Sequence, residues 1–447
     1  MSMPPREQWS SRLGFTLAAV GSAVGLGNVW RFPYVVGEHG GAAFLILYIA
    51  ILIVMGLPVM LAELAIGRRA QSDAVGAFQV LAPGRPWVVA GYLSVGAGVV
   101  ILSYYAVIGG WVGRYMVGYL SGEMTAVPPA EFGTLFESFI ASTYAPLAWA
   151  FGFLAITTGI VVSGVRQGIE RANRVLMPLL ALLLVAMAVY GLTLPGAGEG
   201  LRFLLTPDWS AFGQGEAYLA AVGQAFFSLS LGMGALLTYG SYLSASAGLP
   251  GLATRIVALD FAVALVAGLV IFPAVFSFAI DPATGPTLVF VVLPGIFEVM
   301  PAGSLVGLAF FVLLAAAALS SAVSLLEVVV AYAMRRLRWG RRKAALLLGA
   351  AIFALSTLPS LGYGPLAGVR LFGGSILDGL DLAASQVVLP LGGLIFALFV
   401  GWSWGRAVAL EEVGFERAWL GRAWLFMLRW VTPALILVVL GRSVGVI

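Results

Sequence analysis

Five polar side chains stand out in mainly apolar stretches: Asn28 in GSAVGLGNVWRFP (Gly21–Pro33), Ser228 in GQAFFSLSLGMG (Gly223–Gly234), Ser320 and Ser321 in ALSSAVSLLE (Ala318–Glu327), and Asp260. Hydroxyl and amide oxygens are hard donors of the kind that replace the water of an alkali cation. A pair of serines alone reads as interhelical hydrogen bonding, so the neighbours decide. Asn28 and Ser228 lie beside Gly21, Gly25 and Gly27 and beside Gly232 and Gly234. Each such glycine costs a helix interior about 1 kcal/mol relative to Ala. Glycines also allow close helix packing, but together with these polar groups they predict two interrupted helices. An interruption frees carbonyls at one half-helix end and amides at the other. Carbonyl ends attract cations and amide ends attract carboxylates. One such place can hold both ends of a zwitterion together with Na⁺. Asp260 is the one acid in its stretch, and an acid among apolar residues is costly and a functional candidate.

The elements that carry these residues are membrane spans. Of 447 residues, 61% are hydrophobic and 10% charged, against ~25% charged in a soluble domain. Ten charge-free stretches are long enough to cross ~30 Å of hydrocarbon. They are Leu13–Trp30, Gly40–Ala62, Pro86–Gly113, Pro146–Val165, Val175–Gly198, Ala217–Thr254, Phe261–Ile280, Val299–Leu326, Ala344–Val369 and Leu382–Gly405. A last, shorter one is Trp430–Gly441. The expected fold is an all-α membrane protein of eleven spans in a single domain. The two interrupted spans are the first and the sixth. They hold matching positions in two five-span halves, about 12–192 and about 216–405, with the last span at about 424–445. Gly285–Met300, apolar but broken by prolines, reads as a re-entrant or cap element.

With the amino terminus in the cytoplasm, most of the 24 basic residues fall on the cytoplasmic side. Only Arg31, Arg114, Arg202, Arg370 and Arg442 fall near the other. The first apolar stretch lacks a cleavage pattern and reads as a retained span. The absence of Cys and the single His exclude disulfides and thiolate or His-cluster metal sites. The net charge of +4 follows topology and is no nucleic-acid signal. No nucleophile–base set or paired carboxylates face the presumed cavity, so no enzyme is expected. Glu63 reads as a cap on the sixth span's unwound backbone, Glu327 as a second acid at membrane depth, and His39 as a loop residue.

These motifs, with GGAAF (Gly40–Phe44), GLPVMLAELAIGR (Gly56–Arg68), SYY (Ser103–Tyr105), FPAVFSF (Phe272–Phe278) and LPLGG (Leu389–Gly393), resemble the neurotransmitter:sodium symporters. That family includes bacterial amino-acid transporters such as the leucine transporter, which has twelve spans, and its inverted repeat is known. The resemblance covers nearly the whole chain. It implies two sodium sites. The first would use the carbonyl of Ala23, the Asn28 amide, and the carbonyl and hydroxyl of Ser228. The second would use the carbonyls of Gly21, Val24 and Ala317 and the hydroxyls of Ser320 and Ser321. Asp260 either takes the place of an Asn that ligates the first sodium or supplies the negative charge that chloride supplies elsewhere. Both roles imply that chloride is not required.

The same resemblance puts Tyr105 on the substrate carboxylate, Phe227 over the site as a lid, and Gly25 and Gly27 beside it. Gly25 stands where amine-transporting relatives carry an acid. The side-chain pocket would be Ile101, Phe227, Ser230, Met233, Ser321 and Leu325. No charge is among them, and a polar side chain would lose its hydration there. The expected substrate is a neutral, apolar or aromatic α-amino acid, carried inward with sodium by alternating access. The alternatives are an osmolyte or ω-amino-acid symporter, or a non-transporting sensor or channel on the same scaffold. Arg31 and Asp381 would close the outer side, and Arg6, Trp9 and Tyr242 would belong to the inner gate. The acid that pairs with the family's amino-terminal Arg is replaced by Arg335, leaving Glu7, Asp73 or Glu170 as substitutes. The implied setting is the inner (plasma) membrane, multi-pass, among lipid, as a monomer or weak dimer.

Overall fold

In a computed structural model the described residues are 7–280, 288–415 and 417–443. Arg6 therefore lies outside them. Among the described residues the structure is helical, with one isolated bridge between Leu371 and Gly374. The long helices are labelled in chain order. A bent pair opens the chain, α1 (Arg12–Ala23) and α2 (Gly27–Glu38), turned 47° from each other. Then come α3 (Ala42–Ala70), α4 (Val88–Ser121), α5 (Ala145–Val162) and α6 (Val165–Gly191). A second broken pair follows, α7 (Gly215–Ser228) and α8 (Ala235–Gly240). The remainder are α9 (Leu249–Ser277), α10 (Gly303–Arg336), α11 (Arg341–Leu361), α12 (Ile376–Ser403) and α13 (Ala418–Arg442).

Nine of these helices are long and apolar enough to cross a membrane, or ten with α1 and α2 as one span. The eleven read from sequence differ from this at α7 and α8. At 1.5 Å per residue the 14 residues of α7 and the 6 of α8 are each too short to cross alone. Several boundaries need correction, the eighth span running Gly303–Arg336 rather than Val299–Leu326 and the last Ala418–Arg442 rather than Trp430–Gly441. The stretch Ala217–Thr254 is not one helix, because α8 ends at Gly240 and α9 begins at Leu249. The fifth span starts at Val165, not Val175, so Arg166, Glu170, Arg171 and Arg174 lie on the helix and end the apolar run early. The ninth ends at Leu361, short of Val369. Of Gly285–Met300, the described part carries a short apolar helix at Leu288–Val299.

Several helices widen for one turn immediately before a proline. The widened turns are Gly27–Arg31 before Pro33, Leu52–Gly56 before Pro58, Ala384–Val388 before Pro390, and Met427–Val431 before Pro433. A proline ring collides with the carbonyl four residues back and offers it no N–H. An i→i+5 turn relieves that collision without ending the helix. Packing sorts the helices into two layers. α4 and α10 lie along each other and are mostly buried, whereas α5, α6, α11 and α13 leave most of their apolar surface outside. Lipid is the natural solvent for that outer layer.

Candidate functional site

The two breaks meet. α1 ends at Ala23, and Val24 is extended at φ −75°, ψ 99°. α7 ends at Ser228, and the backbone turns left-handed at Ser230 (φ 54°), Gly232 (φ 80°) and Gly234 (φ 72°). The glycines adopt this readily, and the serine is strained. Three contacts fix the break. Ser230 Oγ donates to the Ser22 carbonyl at 2.7 Å, which joins it to the end of α1. The Gly232 N–H donates to Glu63 Oε1 at 2.7 Å, and Glu63 is fully buried on α3. A Cβ on Gly232 would strike the Leu389 carbonyl of α12, so only glycine admits that helix.

Around the joined breaks the polar groups fall into two clusters. In one, Ser228 Oγ donates to Asp260 and stands 2.9 Å from each carboxylate oxygen. Asn28 Nδ2 donates to Asp260 Oδ1 at 2.8 Å and to its carbonyl at 3.1 Å. Asn28 Oδ1 accepts from the Gly25 N–H at 3.1 Å and keeps a second lone pair. Gln224 Nε2 donates to the Gly27 carbonyl at 2.8 Å. Asn28, Ser228 and Asp260 are all buried, as is Ala23 at the end of α1, five residues before Asn28. In the other cluster Ser320 Oγ is 2.9 Å from the Ala317 carbonyl and 3.4 Å from that of Val24. Ser321 Oγ is 3.3 Å from the Gly21 carbonyl and 3.2 Å from that of Ser22. Both clusters offer carbonyls and hydroxyls, and the first adds one carboxylate. Among the described residues no group of three or more His, Cys, Asp or Glu is placed to hold a metal. The donor set therefore suits a hard, singly charged ion rather than zinc or a tightly held divalent.

A tyrosine and a phenylalanine pack against the residues of the α1–α2 break. Tyr105 Oη accepts from the Leu26 N–H at 3.3 Å. A Cβ on Gly25 would run into Ser321 Oγ and stand 3.1 Å from Tyr105 Oη. A Cβ on Gly27 would stand 2.9 Å from the Phe227 ring. Gly25, Gly27, Tyr105, Ser321 and Phe227 are thus brought together. Ile101 on α4, Leu325 on α10 and Met233 in the α7–α8 break are buried. Arg31 lies with its guanidinium carbon 5.1 Å from the Phe227 ring centroid.

The gate residues differ in part from expectation. Among the described residues no ion pair within 4.0 Å joins Arg31 to Asp381, and Tyr104 Oη donates to Asp381 at 3.0 Å. The opposite face is densely tied. Trp9 Nε1 donates to the Tyr239 carbonyl at 3.0 Å, and its ring meets Tyr242 edge-on. Tyr242 Oη donates to Glu327 Oε1 at 2.6 Å, and Arg341 Nη1 to Glu327 Oε2 at 2.7 Å. Each of the three substitute acids has a different partner. Glu7 is 3.3 Å from Arg341. Asp73 pairs with Arg335 while capping the helix Ala74–Leu81. Glu170 accepts from the Ser10 N–H at 2.9 Å and from Arg174 at 2.6 Å.

Sequence reasoning missed Arg341, one of several basic residues between Arg335 and Lys343 that fall on one side by topology alone. Only the fold brings it to Glu327. It missed Tyr104 as well, the neighbour of Tyr105 in SYY.

A model of the sodium:neurotransmitter symporter family matches residues 6–127 and 142–447. The chain belongs to that family. It is 40% identical over 451 residues to an uncharacterized sodium-dependent transporter, YhdH, of Bacillus subtilis, with 100% of both chains covered. It is 34% identical to an uncharacterized sodium-dependent transporter of Methanocaldococcus jannaschii, covering 98% of this chain and 90% of that one. The crystal structure of MhsT in complex with L-phenylalanine superposes with a TM-score of 0.92 at 56% identity, covering 97% of this chain and 99% of that one. The resemblance read from the motifs is borne out. This is a multi-pass membrane transporter of a sodium-dependent family, and not an enzyme.

Proposed function

We propose that this protein carries neutral, apolar or aromatic α-amino acids into the cell with sodium, by alternating access. The observation that carries this reading is the meeting of two broken helices whose ends bring carbonyls, hydroxyls and one carboxylate together beside Tyr105 and Phe227. The L-phenylalanine bound in MhsT, at 56% identity, supports the substrate class. Counting α1–α2 and α7–α8 as one broken span each gives eleven spans. These are arranged as repeats over about 12–192 and about 216–405, with α13 following and the amino terminus in the cytoplasm.

The first sodium is held by the Ala23 carbonyl, Asn28, Ser228 and Asp260, beside the substrate carboxylate. The second is held by the carbonyls of Gly21, Val24 and Ala317 with Ser320 and Ser321. Asp260 bonds directly to both Asn28 and Ser228, which favours it as a ligand of the first sodium. A fixed carboxylate there offsets the cation, so chloride is not needed. Tyr105 and the amides at the start of α2 bind the substrate carboxylate, and Gly25 leaves room for it. Ile101, Phe227, Met233 and Leu325 take the side chain, with Ser230 and Ser321 at its edge. A sodium that touches the carboxylate raises substrate affinity, and the substrate raises sodium affinity by the same factor. Each charge moved inward across ~100 mV adds about 2.3 kcal/mol. Arg31 and Asp381 close the outer side by swinging into contact over Phe227. The Trp9–Tyr242–Glu327–Arg341 network closes the inner side.

The deciding test is uptake into proteoliposomes under an inward sodium gradient, with labelled leucine and tryptophan competed by phenylalanine, lysine, aspartate, GABA and betaine. Concentrative uptake that only the apolar and aromatic amino acids displace is expected. Equilibration without accumulation, or stronger competition by GABA or betaine, would reject the proposal.

A further inference from the structure

Asn173, on α6, is completely buried. Its Nδ2 donates to the Ile169 carbonyl at 2.9 Å, one turn back on its own helix. That bond fixes the amide's orientation, because the reverse assignment would set two acceptors against each other. Asn173 Oδ1 then has no hydrogen-bond partner. A buried acceptor without a donor is destabilising, a penalty that α6 would avoid with an apolar residue here.

The orphan oxygen points at Gly21. A Cβ built on Gly21 would land on Asn173 Oδ1 and stand 3.1 Å from Ser320 Cβ. Gly21 and Ser320 belong to the second oxygen cluster, where Gly21 gives a carbonyl and Ser320 a hydroxyl. The bare α-carbon of Gly21 is what lets the Asn173 oxygen come this close. That oxygen lies off the α-carbon of Gly21, beside two members of that oxygen cluster, and no N–H or O–H of the described residues donates to it. An acceptor left without a donor beside other acceptors is satisfied by what satisfies all of them, a cation.

We infer that Asn173 Oδ1 is a further oxygen ligand, contributed by α6, of the sodium held between Gly21, Val24, Ala317, Ser320 and Ser321. The inference rests on that cluster's being the second sodium site. It ties a third helix to the ion that joins α1 to α10, so that sodium holds all three together.

The test is a sodium titration of the purified full-length protein in detergent. NaCl replaces choline chloride without amino acid, and the thermal unfolding midpoint is read. Ser320→Ala raises the half-saturating sodium concentration roughly tenfold through loss of a hydroxyl ligand. Asn173→Leu does the same, with its midpoint in choline no lower than that of the wild type, since the unpartnered oxygen is gone. Asn173→Asp keeps the shape, adds a charge and lowers the half-saturating concentration. The Asn173→Leu/Ser320→Ala double variant is weakened less than the product of the single effects, because both act on one ion. If Asn173→Leu titrates like the wild type while Ser320→Ala shifts, the orphan oxygen serves a bound water or nothing, and the inference is lost while the site stands. If Ser320→Ala titrates like the wild type, the site itself is misplaced and the inference falls with it. Should Asn173→Leu fail to fold, Asn173→Asp decides, since an unchanged or raised half-saturation would overturn the proposal.

Discussion

At the scale of the residue, the proposed sodium sites replace water with fixed oxygens, and Asp260 is the one carboxylate among them. It has no positive side chain within its hydrogen bonds, only Asn28 and Ser228. A cation a few ångströms away is therefore its natural counter-charge, worth about 4 kcal/mol at an effective dielectric near 20. Wild-type uptake should persist when chloride is replaced by gluconate, and a loss of uptake would refute the charge-compensating role. Asp260→Asn keeps the shape and removes the charge. Its sodium half-saturation should rise by at least about tenfold, a conservative share of that Coulomb term. Tyr105→Phe removes only a hydroxyl that faces Gly25 and Ser321. It should weaken amino-acid binding by about tenfold, the value of one hydrogen bond to a charged group, and leave sodium binding in the absence of substrate unchanged. Isothermal titration with and without the amino acid separates the two effects. Tyr105 was singled out only by the family resemblance, whereas Asn28, Ser228 and Asp260 were legible in the sequence because each is polar in an apolar run. Asn173 was not, because it stands among Glu170, Arg171 and Arg174, where a polar residue attracts no notice.

At the scale of the element, the decisive feature is that α7 and α8 do not join. The break is held by the left-handed glycines, by the Ser230–Ser22 contact and by Glu63 beneath Gly232. Gly232→Ala places a methyl against the Leu389 carbonyl at φ 80°. Backbone strain alone costs about 1–2 kcal/mol, and the collision adds more, so a clear fall in the thermal midpoint is expected. Gly223→Ala, on the regular part of α7 with only the Ser385 carbonyl 4.0 Å away, should leave the midpoint unchanged. Equal midpoints for the two variants would mean that the break is not held as described. Both breaks, and the Glu63 cap, were foreseeable from glycines and a lone acid in apolar stretches. The helix ends were not, because a charge ends an apolar run before it ends a helix: α10 continues to Arg336 and α6 begins at Val165. The widened turns before Pro33, Pro58, Pro390 and Pro433 were foreseeable in kind, since the steric conflict is written in the proline. The conflict does not say whether a helix will widen, kink or stop.

At the scale of the whole molecule, the two sets of gate residues are tied to different degrees. Arg31 and Asp381 are unpaired with each other, whereas Trp9, Tyr242, Glu327 and Arg341 form one network that spans the amino-terminal segment, α8, α10 and α11. This arrangement was not readable from the family pattern, because Arg335 occupies the acid's place and its partner Asp73 is far away in sequence. The network has one fully buried charge, Glu327, and its only cation among the ion pairs of the described residues is Arg341. Breaking a buried pair by removing one partner costs about 3–5 kcal/mol, because the remaining charge is stranded. A transporter can lower that cost by opening this face and letting water reach Glu327. Arg341→Ala should therefore shift the population toward the inward-open state rather than merely unfold the protein. The chain contains no Cys, so a single introduced one reports without background. Ser324 is buried on α10 one turn from Ser321 and one turn from Glu327, between the site and the network. In Ser324→Cys, a thiol-reactive probe should label slowly in sodium. Adding Arg341→Ala should raise the labelling rate by about tenfold or more, a shift of some 1.4 kcal/mol that is well within the cost of the stranded charge. Unchanged labelling in a protein that still binds sodium would show that Glu327 and Arg341 brace the fold without gating it.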